Sequence, residues 1–280
     1  MTLPPLPPEL TRDVLVHLGV EPGAPTLALL DELLTAYPRT VPWESAFRIA
    51  RRAQIEATAD CPRWPDLFWD DALNRGGGGT CFESNYAFFS LLRALGYEGY
   101  LTVNNMRDDG TSETPSIGCH SAIVLSLDGG RWLADMGLPV YVALPIDPDR
   151  PTQRQSPFHT YTLRPDGEKR YQVERDRHPS PNCFTLIDVP VNNHDYRARL
   201  TRDYDENGLF LDAVIVNKIV DGCQWRFNAR DFPLRIEENR AGERIKHPLT
   251  GDVAARIARR FDIDRATVAT ALAVTRGSRG

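Results

Sequence analysis

The sequence predicts an α+β protein in three stretches: helical over 1–97, antiparallel β (a barrel or sandwich) over 98–200, and mixed over 201–280. Three observations lead there. Apolar residues recur at helical spacing as far as Gly96. From Tyr97 the texture changes to short β-branched and aromatic runs separated by Gly, Pro and Asp. Beyond residue 200 both textures occur. With 280 residues, 41% of them hydrophobic and 25% charged, the chain has ordinary globular composition and can bury a large core.

The elements follow in order. Pro4 to Pro8 form an extended lead. PELTRDVLVHLGV then sets Leu10, Val14, Leu15 and Leu18 on one helical face closed by Gly19, with His17 a surface or packing residue. After an EPGAP turn, Thr26 is a plausible N-cap for a helix whose Leu27, Leu29, Leu30, Leu33 and Leu34 make a broad apolar stripe. VPWESAFRIARRA reads as a short helix after Pro42, PRWPDLFWDDAL as another helix or tight turns, and Cys81 to Leu95 as a helix closed by Gly96. YEGYLTVNNM, HSAIVLSL and RWLADMG read as strands, the last two joined in a hairpin at Gly129–Gly130. Residues 107–118 are a polar loop. HTYTLRPDGEKRYQVERD is a second hairpin turning at Pro165–Asp166–Gly167, and FTLIDVPVN extends the pattern. LFLDAVIVNKIV, QWRFNA and FPLRIEE read as strands, and GDVAARIARRFDIDRATVATALAV as helix broken near Asp262 to Asp264.

Several function classes drop out. A net charge of −5 argues against nucleic acid or an anionic membrane as the main partner. No apolar run suits a membrane span, and MTLPPLPPEL has neither a basic n-region nor an apolar h-region, so a cytoplasmic protein is expected. Five widely spaced cysteines without a C-x-x-C pair fit neither a disulfide framework nor zinc, so no metal is expected. Four of the five read as small buried hydrophobes.

Cys81 is the exception. In RGGGGTCFESNYAFFSLLRAL a four-glycine run, costly to order unless close approach or positive φ requires it, ends at a thiol on a helix's first turn. Unpaired N–H groups and the helix dipole favour a thiolate there. The run has no lysine for a P-loop and no preceding strand for a dinucleotide fold. A cysteine nucleophile needs a base, and the base an orienter. His120 opens a strand and Asp135 ends the next, so hairpin pairing makes them neighbours. Cys119 would face away from His120. The rival pair His194–Asp195 would diverge in extended chain, and His159, His178 and His247 lie in loop-like surroundings.

GGTCFESN at Gly78 to Asn85, LGY at Leu95 to Tyr97, HSAIVLSL at His120, DMGLP at Asp135 and PTLALLDELLTAYPRTVPWES near the N-terminus together resemble the arylamine N-acetyltransferase family over about residues 8–140. The resemblance implies a helical domain (1–97), a β-barrel domain (98–200) and an α/β lid (201–280), with a cysteine-protease-like triad of Cys81, His120 and Asp135. It implies ping-pong transfer: Cys81 takes an acetyl group from acetyl-CoA and hands it to a small arylamine or hydrazine, His120 managing protons and Asp135 orienting it. Backbone N–H groups at Thr80 and Cys81 are candidate oxyanion donors. Three departures stand out. The motif's arginine position is Gly77, the nearest arginine being Arg75; Trp43 and Ser45 alter the V-P-F-E-N block; and Leu138 and Pro139 alter the segment after Asp135. Trp43, Thr80, Phe82 and Leu138 are the acyl-pocket candidates. Arg197, Arg199 and Arg202 read either as CoA-phosphate contacts or as a solvated face. Other readings are an amide synthase with a larger carrier- or CoA-bound donor, a Cys-His-Asp hydrolase of thioesters or peptides (or a transglutaminase-like enzyme), and a non-catalytic relative.

Overall fold

The computed structural model describes residues 3–106, 117–178, 180–206, 208–240 and 243–277. Among these, the first part holds α1 (Pro8–Leu18), α2 (Leu27–Thr40), the short β1 (Trp43–Glu44), α3 (Ala46–Gln54), α4 (Pro65–Arg75) and α5 (Cys81–Ala94). The middle holds β2 (Glu98–Met106), β3 (His120–Leu127), β4 (Gly130–Ala134), β5 (Leu144–Ile146), β6 (Thr152–Gln155), β7 (Thr160–Pro165), β8 (Arg170–Arg175) and β9 (Asn182–Ile187). Then come α6 (Asn193–Arg202), β10 (Ile215–Val220), β11 (Cys223–Asn228), β12 (Arg235–Arg240), β13 (Glu243–Pro248), α7 (Val253–Phe261) and α8 (Arg265–Gly277). The α+β class is that of the sequence. Most of the loop read at 107–118 lies outside the described residues.

Contacts gather into two units, Met1–Tyr37 with Ser84–Tyr196 and Pro38–Glu83 with Arg197–Gly280. The first unit is built on eight antiparallel strands in the order β5-β4-β3-β2-β9-β8-β7-β6. Its two outer strands are consecutive in sequence and tied by side chains. Thr152 Oγ1 donates to the Pro145 carbonyl at 2.5 Å and Arg154 Nη1 to that of Ala143 at 2.9 Å. The sheet is therefore a nearly closed barrel rather than a sandwich. The β3–β4 turn has Asp128 at φ 50° and Gly129 at φ 73°, the paired positive values of a tight hairpin, and sets Leu127 opposite Gly130. That register runs to Ile123 opposite Ala134. Continued one residue, it puts Asp135 across from Ala122, diagonal to His120 on the same strand face. Ala122 to Leu125 of β3 are wholly buried, as are Leu30, Leu33 and Leu34 of α2 and Phe88, Leu91 and Leu92 of α5.

The second unit has a five-stranded antiparallel sheet, β1-β10-β11-β12-β13. Its core joins Phe47 and Ile49 of α3 to Val216, Phe227 and Ile236 of the sheet and to Ile257, Phe261, Val268 and Ala271 of α7 and α8. Asp252 caps α7 by accepting from Ala255 N at 2.9 Å, and Asp262 at φ 53° ends it, which accounts for the break seen in the sequence.

Some local expectations fail. The run LFLDAVIVNKIV is a strand only from Ile215; Phe210 at φ 62° marks the irregular approach. β13 was not anticipated, because all six of its residues are exposed and ERIKHP carries no alternation; backbone pairing to β12 alone makes it a strand. His247 lies within it rather than in a loop. Cys119 and Cys223 are only half-buried, whereas Cys61 and Cys183 are buried as expected. His194 and Asp195 open α6 instead of extended chain and lie exposed at 92% and 61%, 3.2 Å apart.

Candidate active site

In the second unit, the glycine run threads between packed backbones. Gly76 closes α4 at φ 62°, and a Cβ on Gly78 would sit 1.8 Å from the Pro42 carbonyl oxygen. The Gly78 peptide is held from both sides: its N–H donates to Glu44 Oε1 at 3.2 Å, and its carbonyl accepts from Arg63 Nη2 at 2.6 Å. Trp43 bridges Gly79 across the backbone, and its ring meets Phe210 edge-on at 5.0 Å. Cys81, 5% exposed, then opens α5. Thr80 and Phe82 on either side of it are buried.

Below this turn lies an ionic cluster. Glu83 accepts from Arg63 Nε and Nη2, both at 3.2 Å, and from Tyr204 Oη at 2.5 Å. Arg63 also reaches Asp71 at 3.3 Å. Arg48 donates to Thr80 Oγ1 at 2.5 Å and to the Asp203 carbonyl at 2.9 Å. Burial alone would raise the Glu83 carboxyl, but the Arg63 and Arg48 guanidiniums outweigh it and hold the group below its ordinary value. Glu44 goes the other way: burial dominates the attraction of Arg63 and pushes its carboxyl up. Burial opposes the charge on Arg48, yet Tyr204, Glu83, Asp203 and Cys81 together hold its pKa above the usual arginine range. The chemical consequence is a buried guanidinium, that of Arg48, within electrostatic reach of the Cys81 thiol at the start of α5.

In the first unit, His120 Nε2 and Asp135 Oδ2 are 2.7 Å apart, both residues buried. Asp135 Oδ1 accepts from Gly137 N at 2.7 Å, Leu138 N at 3.3 Å and Asn85 Nδ2 at 3.0 Å. Asn85 Oδ1 in turn accepts from Met136 N at 2.9 Å, and Nδ2 also reaches the Ser121 carbonyl at 2.8 Å. Tyr196 Oη donates to Ser121 Oγ at 2.9 Å, and the Phe184 ring lies 4.5 Å from the imidazole. The carboxylate is thus fixed on one oxygen and offers the other to the imidazole. Such a pair sets the tautomer and stabilises an imidazolium.

The structure therefore brings His120, Asp135 and Leu138 together in one unit, and Cys81, Thr80, Phe82 and Trp43 together in the other. Arg197 stacks on the Trp64 ring at 3.7 Å, and Arg202 is exposed. Arg48, Arg63, Tyr204, Ser121 and Tyr196 escaped sequence reasoning. Among the described residues no cluster of His, Cys, Asp and Glu could hold a metal ion, and no helix is long and apolar enough to cross a membrane.

The N-acetyltransferase family model matches residues 26–269. Among solved structures, the arylamine N-acetyltransferase from Mycobacterium abscessus aligns with a TM-score of 0.78 at 20% identity, covering 95% of this chain and 94% of that one. The Mycobacterium marinum enzyme in complex with CoA gives 0.77 at 18%, covering 93% and 98%. The Salmonella typhimurium enzyme gives 0.77 at 16%, covering 94% and 98%. The comparison with curated proteins finds no match. At these identities the solved structures establish the fold, and the family rests on the sequence match over most of the chain. The chain belongs to the arylamine N-acetyltransferase family and is an acetyltransferase.

Proposed function

We propose that the protein moves an acetyl group from acetyl-CoA to an arylamine or hydrazine through a thioester on Cys81, with His120 and Asp135 completing a triad. The buried His120–Asp135 pair at 2.7 Å is the observation that carries this reading. Asp135 occupies Nε2, so proton exchange with the thiol runs through Nδ1. The Cys81 thiolate attacks the thioester carbonyl, the new C–S bond forms, and the CoA thiolate leaves. The amine then attacks the acyl-enzyme; its proton passes to His120 as the C–N bond forms and the Cys81 sulfur departs. Exchange of one thioester for another is nearly isoenergetic, so the demand on the protein is a thiolate, positioning and oxyanion donors. The N–H groups at Thr80 and Cys81 serve as those donors, and Trp43, Phe82 and Leu138 shape the acyl pocket. The CoA complex of the Mycobacterium marinum relative supports CoA as the carrier.

Intact mass spectrometry after incubation with acetyl-CoA tests this. An acetyl adduct on Cys81, discharged by an arylamine and missing in Cys81→Ala, is the expected result. An adduct lost equally fast without amine means hydrolysis. Absence of any adduct refutes the proposal.

A further inference from the structure

The glycine loop of this chain is tight at position 77, where a side chain would have to displace the Phe47 ring. A Cβ there would lie 2.9 Å from the Phe47 ring and 3.2 Å from Asp71 Cβ. Arg75, two residues back, points elsewhere. It is 47% exposed and binds Asp71 at 3.0 Å, Asp264 at 3.4 Å and Thr267 Oγ1 at 2.5 Å. Both Arg75 and Arg63 lie against the ring of Phe47, at 4.8 and 5.3 Å from its centroid. Arg63 is 1% exposed, and every nitrogen of its guanidinium is engaged: Nε on Glu83, Nη1 on Asp71, Nη2 on Glu83 and the Gly78 carbonyl.

We propose that Arg63 is the positioning residue of the nucleophile turn, clamping the loop at Gly78 and the first turn of α5 at Glu83 so that the N–H groups and dipole of α5 are set on Cys81. The inference rests on Cys81 being the nucleophile. Gly78 lies three residues before Cys81 and Glu83 two after it, so one planar fork grips the chain on both sides of the thiol. A lysine places a point charge on a flexible stem and cannot make the paired contact to Glu83 while keeping the Gly78 carbonyl. Glu44 completes the clamp, since its Oε1 takes the Gly78 N–H and lies 3.8 Å from Arg63 Nη2. The fork also keeps Glu83 ionised in a fully buried place, where an uncompensated carboxylate would repel a neighbouring thiolate.

The test compares Arg63→Lys, the double variant Arg63→Met/Glu83→Gln, and Arg75→Met as control. The readouts are the pH dependence of Cys81 alkylation by iodoacetamide, kcat and KM for acetyl transfer, and thermal unfolding. Both Arg63 variants should fold, move the alkylation midpoint up by about one pH unit, and lower kcat roughly 10- to 100-fold with little change in KM. Arg75→Met should match the parent. Folded Arg63 variants with the parent's alkylation midpoint and kcat would overturn the proposal. So would failure of both to fold, which would make Arg63 a folding residue only. A shifted alkylation midpoint in a protein that forms no acetyl adduct would sustain the positioning role while refuting acyl transfer.

Discussion

Around Cys81 the buried network is mainly charged: Arg63 meets Glu44, Asp71 and Glu83, and Arg48 meets Asp203, with the Thr80 and Tyr204 hydroxyls between them. Around His120 a single carboxylate, Asp135, meets an imidazole, the Asn85 amide and the Ser121 and Tyr196 hydroxyls. The first arrangement resists any change of charge, because removing one partner leaves another buried and uncompensated. It suits the thiolate that the proposed mechanism calls for at Cys81. The second is built from one carboxylate and neutral dipoles, an arrangement suited to a proton arriving at and leaving His120 under the proposed mechanism. The difference teaches that, under the proposed mechanism, the two regions ask opposite things of the fold: one a standing field, the other a reversible one.

The largest effect should come from the reversible half. Asp135→Asn and His120→Ala should each lower acetyl-transfer kcat by about 10³- to 10⁴-fold, while thermal unfolding shifts far less. A modest loss of activity with a large loss of stability would assign the pair to the fold instead.

Next comes the ionic half. Glu83→Gln leaves Arg63 without its main partner and should cost roughly 3–5 kcal/mol in urea unfolding. A cost below about 1 kcal/mol would erase the contrast between the clusters.

Asp203, at the rim of the same cluster, gives a pH test. Burial, opposed by Arg48, raises its carboxyl from 3.8 to about 6. A raised folded-state value means that its favourable contribution is complete below about pH 4 and is lost as the pH rises through 6. Relative to the parent, Asp203→Asn should therefore gain stability between pH 4.5 and 7.5, by at most about 3 kcal/mol. A pH-independent difference contradicts this.

In the neutral network, Ser121→Ala should cost about 1 kcal/mol, since it removes one hydroxyl that Tyr196 and Asn85 share. Smallest of all, Arg75→Met should stay within about 1 kcal/mol, because its ion pairs are partly exposed. An effect as large as that of Glu83→Gln would move the centre of the cluster from Arg63 to Arg75.

What was legible in the sequence was local. The helix opening at Cys81 is announced by a glycine run and an apolar repeat within one segment. The His120–Asp135 pairing follows from a two-residue turn and the period of a strand. The α+β class follows from the same two periodicities. β13 was illegible because exposed residues carry no period, and its pairing is entirely backbone. Arg63 in CPRWP and Arg48 in AFRIARR look like any surface arginine in print. Tertiary structure alone decided that they are buried, since each is held by partners from other segments: Glu83 and Gly78 for Arg63, Thr80 and Asp203 for Arg48. By itself the sequence singled out the residues proposed to carry the chemistry and the turn and helix that hold them. Only the fold decided which charges surround the thiol, because the burial of an ion depends on partners distant in the chain and leaves no period to read.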